Sequence, residues 1–201
     1  MGLANGIGLD LRQIAVFAAA LAIGISIGVG LGALRWRLPL RHLQQARLWM
    51  IMQHAKQMPG GGTLVLGDSI VEQQRALELC GSTFNAGIGG YTAGQWRVST
   101  GPLIEMLKPS RAVIALGTND QGKSVPEQKF RESYAAILNQ LKGVKVVAVG
   151  IRGGKLDRDI AALGVGVVPW PVAEMDMLED GLHLSPAGVV VWQKAVREAL
   201  C

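Results

Sequence analysis

The sequence predicts a three-layer α/β/α domain with a five-stranded parallel sheet, preceded by an N-terminal transmembrane helix. Three observations predict it. An uninterrupted apolar run lies near the start, short apolar segments alternate with helix-period segments from Thr63 onward, and the charge balance differs between these two regions. At 201 residues, 49% hydrophobic and 17% charged, the chain is too apolar for intrinsic disorder. Two cysteines exclude a disulfide-dense scaffold and a Cys-rich zinc module. Cys80 follows a helix-like stretch and Cys201 is the last residue, so both are expected as free thiols.

Residues 1–13 form an N-terminal tail and Ile14–Leu34 the membrane span. The span has no ionisable side chain and one polar residue, Ser26. As a helix it reaches ~31 Å, close to the hydrocarbon thickness of a bilayer. A cleaved signal peptide fits less well, because the first eleven residues hold Asp10 and no Lys or Arg. A core helix of this length would carry a polar face. Ala20, Gly24, Gly28 and Gly32 recur every four residues, a spacing that lets two such helices pack closely as a homo-oligomer; such residues are also common in membrane helices generally.

Residues 35–62 are a basic juxtamembrane helix and Gly-rich linker. Residues 1–58 carry six cations against Asp10, whereas residues 59–201 carry fourteen cations and fourteen acids. The net charge of +5 is thus confined to the N-terminal part, and a nucleic-acid partner is not expected. Arg35, Arg37, Arg41 and Arg47 follow the span and only Arg12 precedes it, a bias that places the C-terminal domain in the cytoplasm. A helix over residues 38–57 lies on the membrane or packs on the domain. It ends at Pro59-Gly60-Gly61-Gly62.

The domain spans residues 63–201. Its strands are expected at Thr63–Leu66, Thr83–Ala86, Ala112–Leu116, Val144–Ile151 and Val165–Val168, apolar throughout as in sheets covered on both faces. One helix carries Phe130, Tyr134, Ile137, Leu138 and Leu141 on one face. It opens with a Ser124-x-x-Glu127 capping box and Pro126 in its first turn. Others start at Thr92, with Gln95 three residues on, and at Ser185-Pro186. Working residues in such sheets gather at the C-terminal edge.

Four segments fall there. Gly67-Asp68-Ser69-Ile70 puts a hydroxyl at a strand-to-helix turn, where a backbone N–H is free for an oxyanion. Asn85 to Gly90 ends in a glycine whose N–H can approach developing charge. Gly117-Thr118-Asn119-Asp120 offers the Asn119 amide to the same point, and Asp180-Gly181-Leu182-His183 supplies a base and its orienting carboxylate. Singly, each is a common turn. The glycine cluster lacks a phosphate-loop ending, and His42 and His54 have no ligand cluster around them, so no metal is expected.

In this order the four segments resemble the SGNH (GDSL-type) hydrolase family over residues 63–201. The resemblance implies a flavodoxin-like sheet and acyl-ester chemistry without cofactor. It assigns Ser69 as nucleophile, His183 and Asp180 as its triad partners, and Ser69, Gly90 and Asn119 as the oxyanion hole. Three features depart from the family pattern. Tyr91 stands where relatives often have an acid, Arg152-Gly153-Gly154-Lys155 replaces a proline-rich turn, and only 28 residues separate Ile151 from Asp180. The short connection predicts an open, shallow site for small acyl groups, or for an exposed ester on a carbohydrate or lipid. The expected function is a membrane-anchored serine esterase. An O-acyltransferase using the same site is the alternative within the chemistry, and a non-catalytic membrane scaffold the alternative outside it. Charge bias favours a cytoplasmic domain, whereas family habit favours the exported face.

Overall fold

The structure, a computed structural model, describes residues 11–201, with side chains at 19–26 and 40–201. The chain divides into two compact units, Met1–Leu43 and Gln44–Cys201. Helix α1, Leu11–Ala55, contributes to both. The expected span over Ile14–Leu34, with its Gly28 and Gly32, lies outside the described side chains apart from positions 19–26. Among the described residues no helix is long and apolar enough to cross a membrane. Within that short stretch Leu21, Ile23 and Ile25 are exposed.

The second unit is a five-stranded parallel sheet in the order β2-β1-β3-β4-β5. Its strands are β1 Thr63–Gly67, β2 Thr83–Gly87, β3 Arg111–Ala115, β4 Lys145–Val149 and β5 Gly166–Val168, each within two residues of its expected bounds. Register is in step across the first three strands: Gly67 of β1 pairs with Gly87 of β2 and Ala115 of β3, so their C-terminal ends form one edge.

Period-two alternation sends strand residues to opposite faces. Leu64, Leu66, Ala112, Ile114 and Ala148 pack under helices α3 (Ala93–Leu107) and α5 (Glu127–Gln140) and the last turns of α1. Val65, Val113, Val147 and Val149 face α2 (Ser69–Glu72) and α7 (Pro186–Leu200). Trp96 and Trp192 are fully buried, one in each layer. Two shorter helices, α4 Thr118–Gly122 and α6 Asp157–Ala161, complete the connections. From Gln44 onward α1 packs on the domain, with Ile51 and Ala55 buried in the α3/α5 layer and the His54 ring tilted against Phe84 of edge strand β2 at 5.3 Å.

Two expectations are corrected. Cys80 and Cys201 are joined in a disulfide, with their Cα atoms 5.8 Å apart. Helix α7 runs back across the sheet and delivers the chain end to the N-terminal edge, where Cys80 lies beside the start of β1 and β2. Thr63 Oγ1 donates to the Cys80 carbonyl there at 3.0 Å. At a sequence separation of 121, nothing local announced the pair. The capping box at Ser124 does not form: Ser124 has φ +52° and closes the preceding turn, and Pro126 is the N-cap of α5. At α3 the Thr92/Gln95 box is present in both directions, and Ser185 caps α7 with Pro186 at its start.

Candidate active site

Ser69 opens α2 directly after β1. Asp68 is the N-cap, its Oδ1 accepting the Ile70 N–H at 3.0 Å. Trp96 Nε1 donates to the Gly67 carbonyl at 2.9 Å, fixing the strand end from the other layer. Asn85 does not reach the site. Its amide donates to the Val71 and Gln74 carbonyls at 2.8 and 3.0 Å, tying the far end of α2 to β2. Gly87 is required there because a Cβ would collide with the α2 backbone at Glu72.

His183 arrives from the turn between the short 3-10 segment Glu174–Asp176 and α7. A bridge between Met177 and Leu184 closes this turn, and the Leu178 N–H donates to the His183 carbonyl at 2.8 Å. Asp180 Oδ1 accepts the backbone N–H groups of Leu182 and His183, both at 2.9 Å. Asp180 Oδ2 lies 2.5 Å from His183 Nδ1, and His183 Nε2 lies 3.0 Å from Ser69 Oγ. A carboxylate can only accept, so Nδ1 carries the proton and Nε2 presents its lone pair to the serine O–H.

Gly90 and Asn119 end the neighbouring connections. Gly90 has φ +74°, a conformation that favours glycine. The Asn119 amide donates to Asp68 Oδ2 at 3.2 Å, which leaves its second N–H for a ligand. Among the described residues the N–H groups of Ser69 and Gly90 donate to no protein acceptor. Four of the residues singled out in the sequence, Ser69, Gly90, Asn119 and His183, thus lie at one sheet edge, with the fifth, Asp180, behind His183.

The carboxylates nearby sit in different environments. Asp180 is held well below the usual carboxylate range by the His183 backbone N–H, then by the His183 ring and the Leu182 N–H. Asp68 is pushed up to about 6 by burial, partly offset by the Ile70 N–H and the charge of His183. Asp120 accepts the Ala93 N–H at 3.0 Å and is also raised, again chiefly by burial.

Sequence reasoning missed several supports. Arg152, noted only as a departure, donates to the Gly181 carbonyl and pairs with Glu174 at 2.6 Å, so the connection after β4 holds the turn that bears His183. Glu72 Oε2 accepts the Gly89 N–H at 2.6 Å. Gln44 and Arg47 of α1 donate to the carbonyls of Gly89 and Gly87 at 2.8 and 3.1 Å. Their spacing, i and i+3 on one helix face, was the available signal.

The sequence profile of the GDSL-like Lipase/Acylhydrolase family matches residues 65–177, which include Ser69, Gly90 and Asn119. Among curated proteins none matches the chain. A Streptococcus pneumoniae protein provisionally designated a platelet activating factor superposes with a TM-score of 0.67 at 20% identity. That match covers 85% of this chain and 98% of the other. The psychrotrophic esterase EstA of Pseudoalteromonas, solved inhibited by monoethylphosphonate, gives 0.57 at 16% identity over 69% and 95% of the two chains. A two-domain esterase active on acetylated mannans gives 0.57 at 18% identity, over 76% of this chain and 51% of its own. At these identities the likeness is one of fold.

Proposed function

The chain belongs to the GDSL-like lipase/acylhydrolase family and is an ester hydrolase, and from that premise we propose that it cleaves short acyl esters at Ser69. The observation that carries this reading is the continuous hydrogen-bond chain from Ser69 Oγ through the His183 ring to Asp180. Ser69 attacks the ester carbonyl as His183 Nε2 takes its proton. The oxyanion is held by the N–H groups of Ser69 and Gly90 and by the Asn119 amide, and His183 then protonates the leaving alcohol. Water repeats the sequence on the acyl-enzyme. Each oxyanion donor contributes about 2.7–4 kcal/mol to such a transition state.

The turn that carries the base is open to solvent, with the Asp180 side chain 48% exposed, which supports small acyl groups. The mannan esterase fold-mate supports acetylated carbohydrate as one substrate class. Hydrolysis of aryl esters of increasing chain length by the full-length chain in micelles tests this. Rates are expected to peak at acetyl to butyryl and to fall on the order of 10³ or more in Ser69→Ala and His183→Ala. A preference beyond about eight carbons contradicts the shallow site.

The reading also anchors the chain through Ile14–Leu34. In the described part of that segment the Ser26 hydroxyl donates to the Ala22 carbonyl at 2.9 Å, so the one polar side chain is satisfied within the helix. The small-residue face at Ala20 and Gly24 suits self-association, and a Cβ at Gly24 would meet nothing within 4 Å. The Cys80–Cys201 disulfide supports an oxidising compartment, hence the exported face, against the charge bias of the flanking arginines. A reporter fused after Cys201 and active only outside the cytoplasm would support that orientation; one active only inside would contradict it.

A further inference from the structure

Gly89 and Gly90 share a peptide unit. The Gly90 N–H, proposed above as an oxyanion donor, and the Gly89 carbonyl lie in one plane and point in opposite directions. A peptide flanked by two glycines turns over readily, because neither residue restricts its dihedrals. Turned over, it would present a carbonyl oxygen to the developing oxyanion instead of a donor. Something must therefore hold the plane.

We infer that Gln44, assisted by Arg47, is a positioning residue for the Gly90 N–H, so that the helix preceding the domain is a working part of the active site. Gln44 Nε2 donates to the Gly89 carbonyl at 2.8 Å, and Gln44 is only 9% exposed. The bond grips the rear of the plane whose front is the Gly90 N–H, and polarises that N–H as it does so. Its other amide atom is engaged as well, since Gln44 Oε1 accepts from Gln95 Nε2 at 3.4 Å, within the α3 capping box. Arg47 acts one residue further back. Its Nε donates to the Gly87 carbonyl at 3.1 Å and pairs with Glu72 at 3.4 Å, and Glu72 accepts the Gly89 N–H. Gly89 is thus held at both its N–H and its carbonyl by side chains anchored outside the loop.

This inference rests on the reading of Gly90 as an oxyanion donor, and the test separates the two. The full-length chain in micelles is compared with Gln44→Met, which keeps apolar bulk and removes the donor, and with Gln44→Glu, which sets a carboxylate against the Gly89 carbonyl. Ser69→Ala runs alongside, and all proteins are assayed at one temperature, at least about 15 °C below the lowest Tm among them, so that every variant is folded and the rates compare directly. Losing a whole oxyanion donor costs about 10²–10³ in kcat. Loosening one is expected to cost roughly tenfold or more in Gln44→Met and further in Gln44→Glu. KM should stay within about twofold, and the pH profile of kcat/KM should keep its shape, because His183 and Asp180 are untouched. A kcat within twofold of wild type in both variants overturns the inference, as does a loss carried by KM alone. If Ser69→Ala stays active, the catalytic reading itself fails; if Ser69→Ala is dead while Gln44→Met turns over normally, only the role of Gln44 fails.

Discussion

The two halves of the candidate site are built differently. The nucleophile side sits on the ends of β1, β2 and β3, where Asp68 is 1% exposed and Trp96, Asn85 and Glu72 fix backbone groups from three directions. The base side is a surface turn, with Asp180 48% and His183 19% exposed, held by its own backbone hydrogen bonds and by Arg152. An oxyanion donor must be placed before charge develops, so it is set in rigid structure. A base exchanges protons in turn with the serine, the leaving alcohol and water from one ring nitrogen, and a well-closed turn holds that nitrogen.

The comparison breaks if the two sides respond alike to mutation. Ser69→Ala should have the largest effect, on the order of 10³ or more in kcat/KM. Asp180→Ala should cost less, on the order of 10², because an exposed carboxylate is screened by water. A kinetic comparison of the two variants at one pH checks the ordering, and equal losses would mean that exposure does not weaken the Asp180 contribution.

Asp68 sharpens the contrast through pH. Burial raises its folded pKa from 3.8 to about 6, so the native state holds the proton more tightly than the unfolded chain does. The Asp68 contribution to stability is fully present below pH 4 and is lost as pH rises from there to about 6. Asp68→Asn should flatten that decline in a series of Tm measurements. Asp180 is shifted the other way and has no part in this window. A wild-type Tm that rises between pH 4 and 6 while Asp68→Asn shows the same rise would remove Asp68 as the titrating group.

The smallest effect on activity is expected far from both halves. The Cys80–Cys201 bond lies at the N-terminal edge of the sheet and closes a loop of sequence separation 121. In the chain-entropy model such a cross-link stabilises by about 4–5 kcal/mol. Cys80→Ser should therefore lower Tm by many degrees yet leave kcat/KM within about twofold at a temperature where the protein is folded.

The same division governs what could be read from the sequence. The strand ends were legible because apolar runs and the four site segments each carry a local signal. The alternation puts Ser69, Gly90 and Asn119 in the connections after β1, β2 and β3 once a parallel sheet is assumed, whereas His183 lies in a late loop before α7 and was singled out by its Asp-x-x-His spacing and the family resemblance. The disulfide was not legible, since it joins residues that only the return of α7 brings together. Gln44 and Arg47 were hidden for another reason. In a segment of Arg, Gln and Leu they look like an interfacial face, and their partners are backbone carbonyls, which leave no trace in residue type. At Ser124 the Ser-x-x-Glu pattern does not make a capping box, because a left-handed backbone and Pro126 set the helix start instead.

The most direct test of the account is to treat the full-length chain with an alkyl fluorophosphonate, a mimic of the tetrahedral intermediate, and to locate the adduct by peptide mass spectrometry. The account predicts one phosphonyl group per chain, on Ser69, with activity lost in proportion and no adduct in Ser69→Ala. Inactivation with Ser69 unmodified, or an unchanged adduct in Ser69→Ala, would place the nucleophile elsewhere and contradict it.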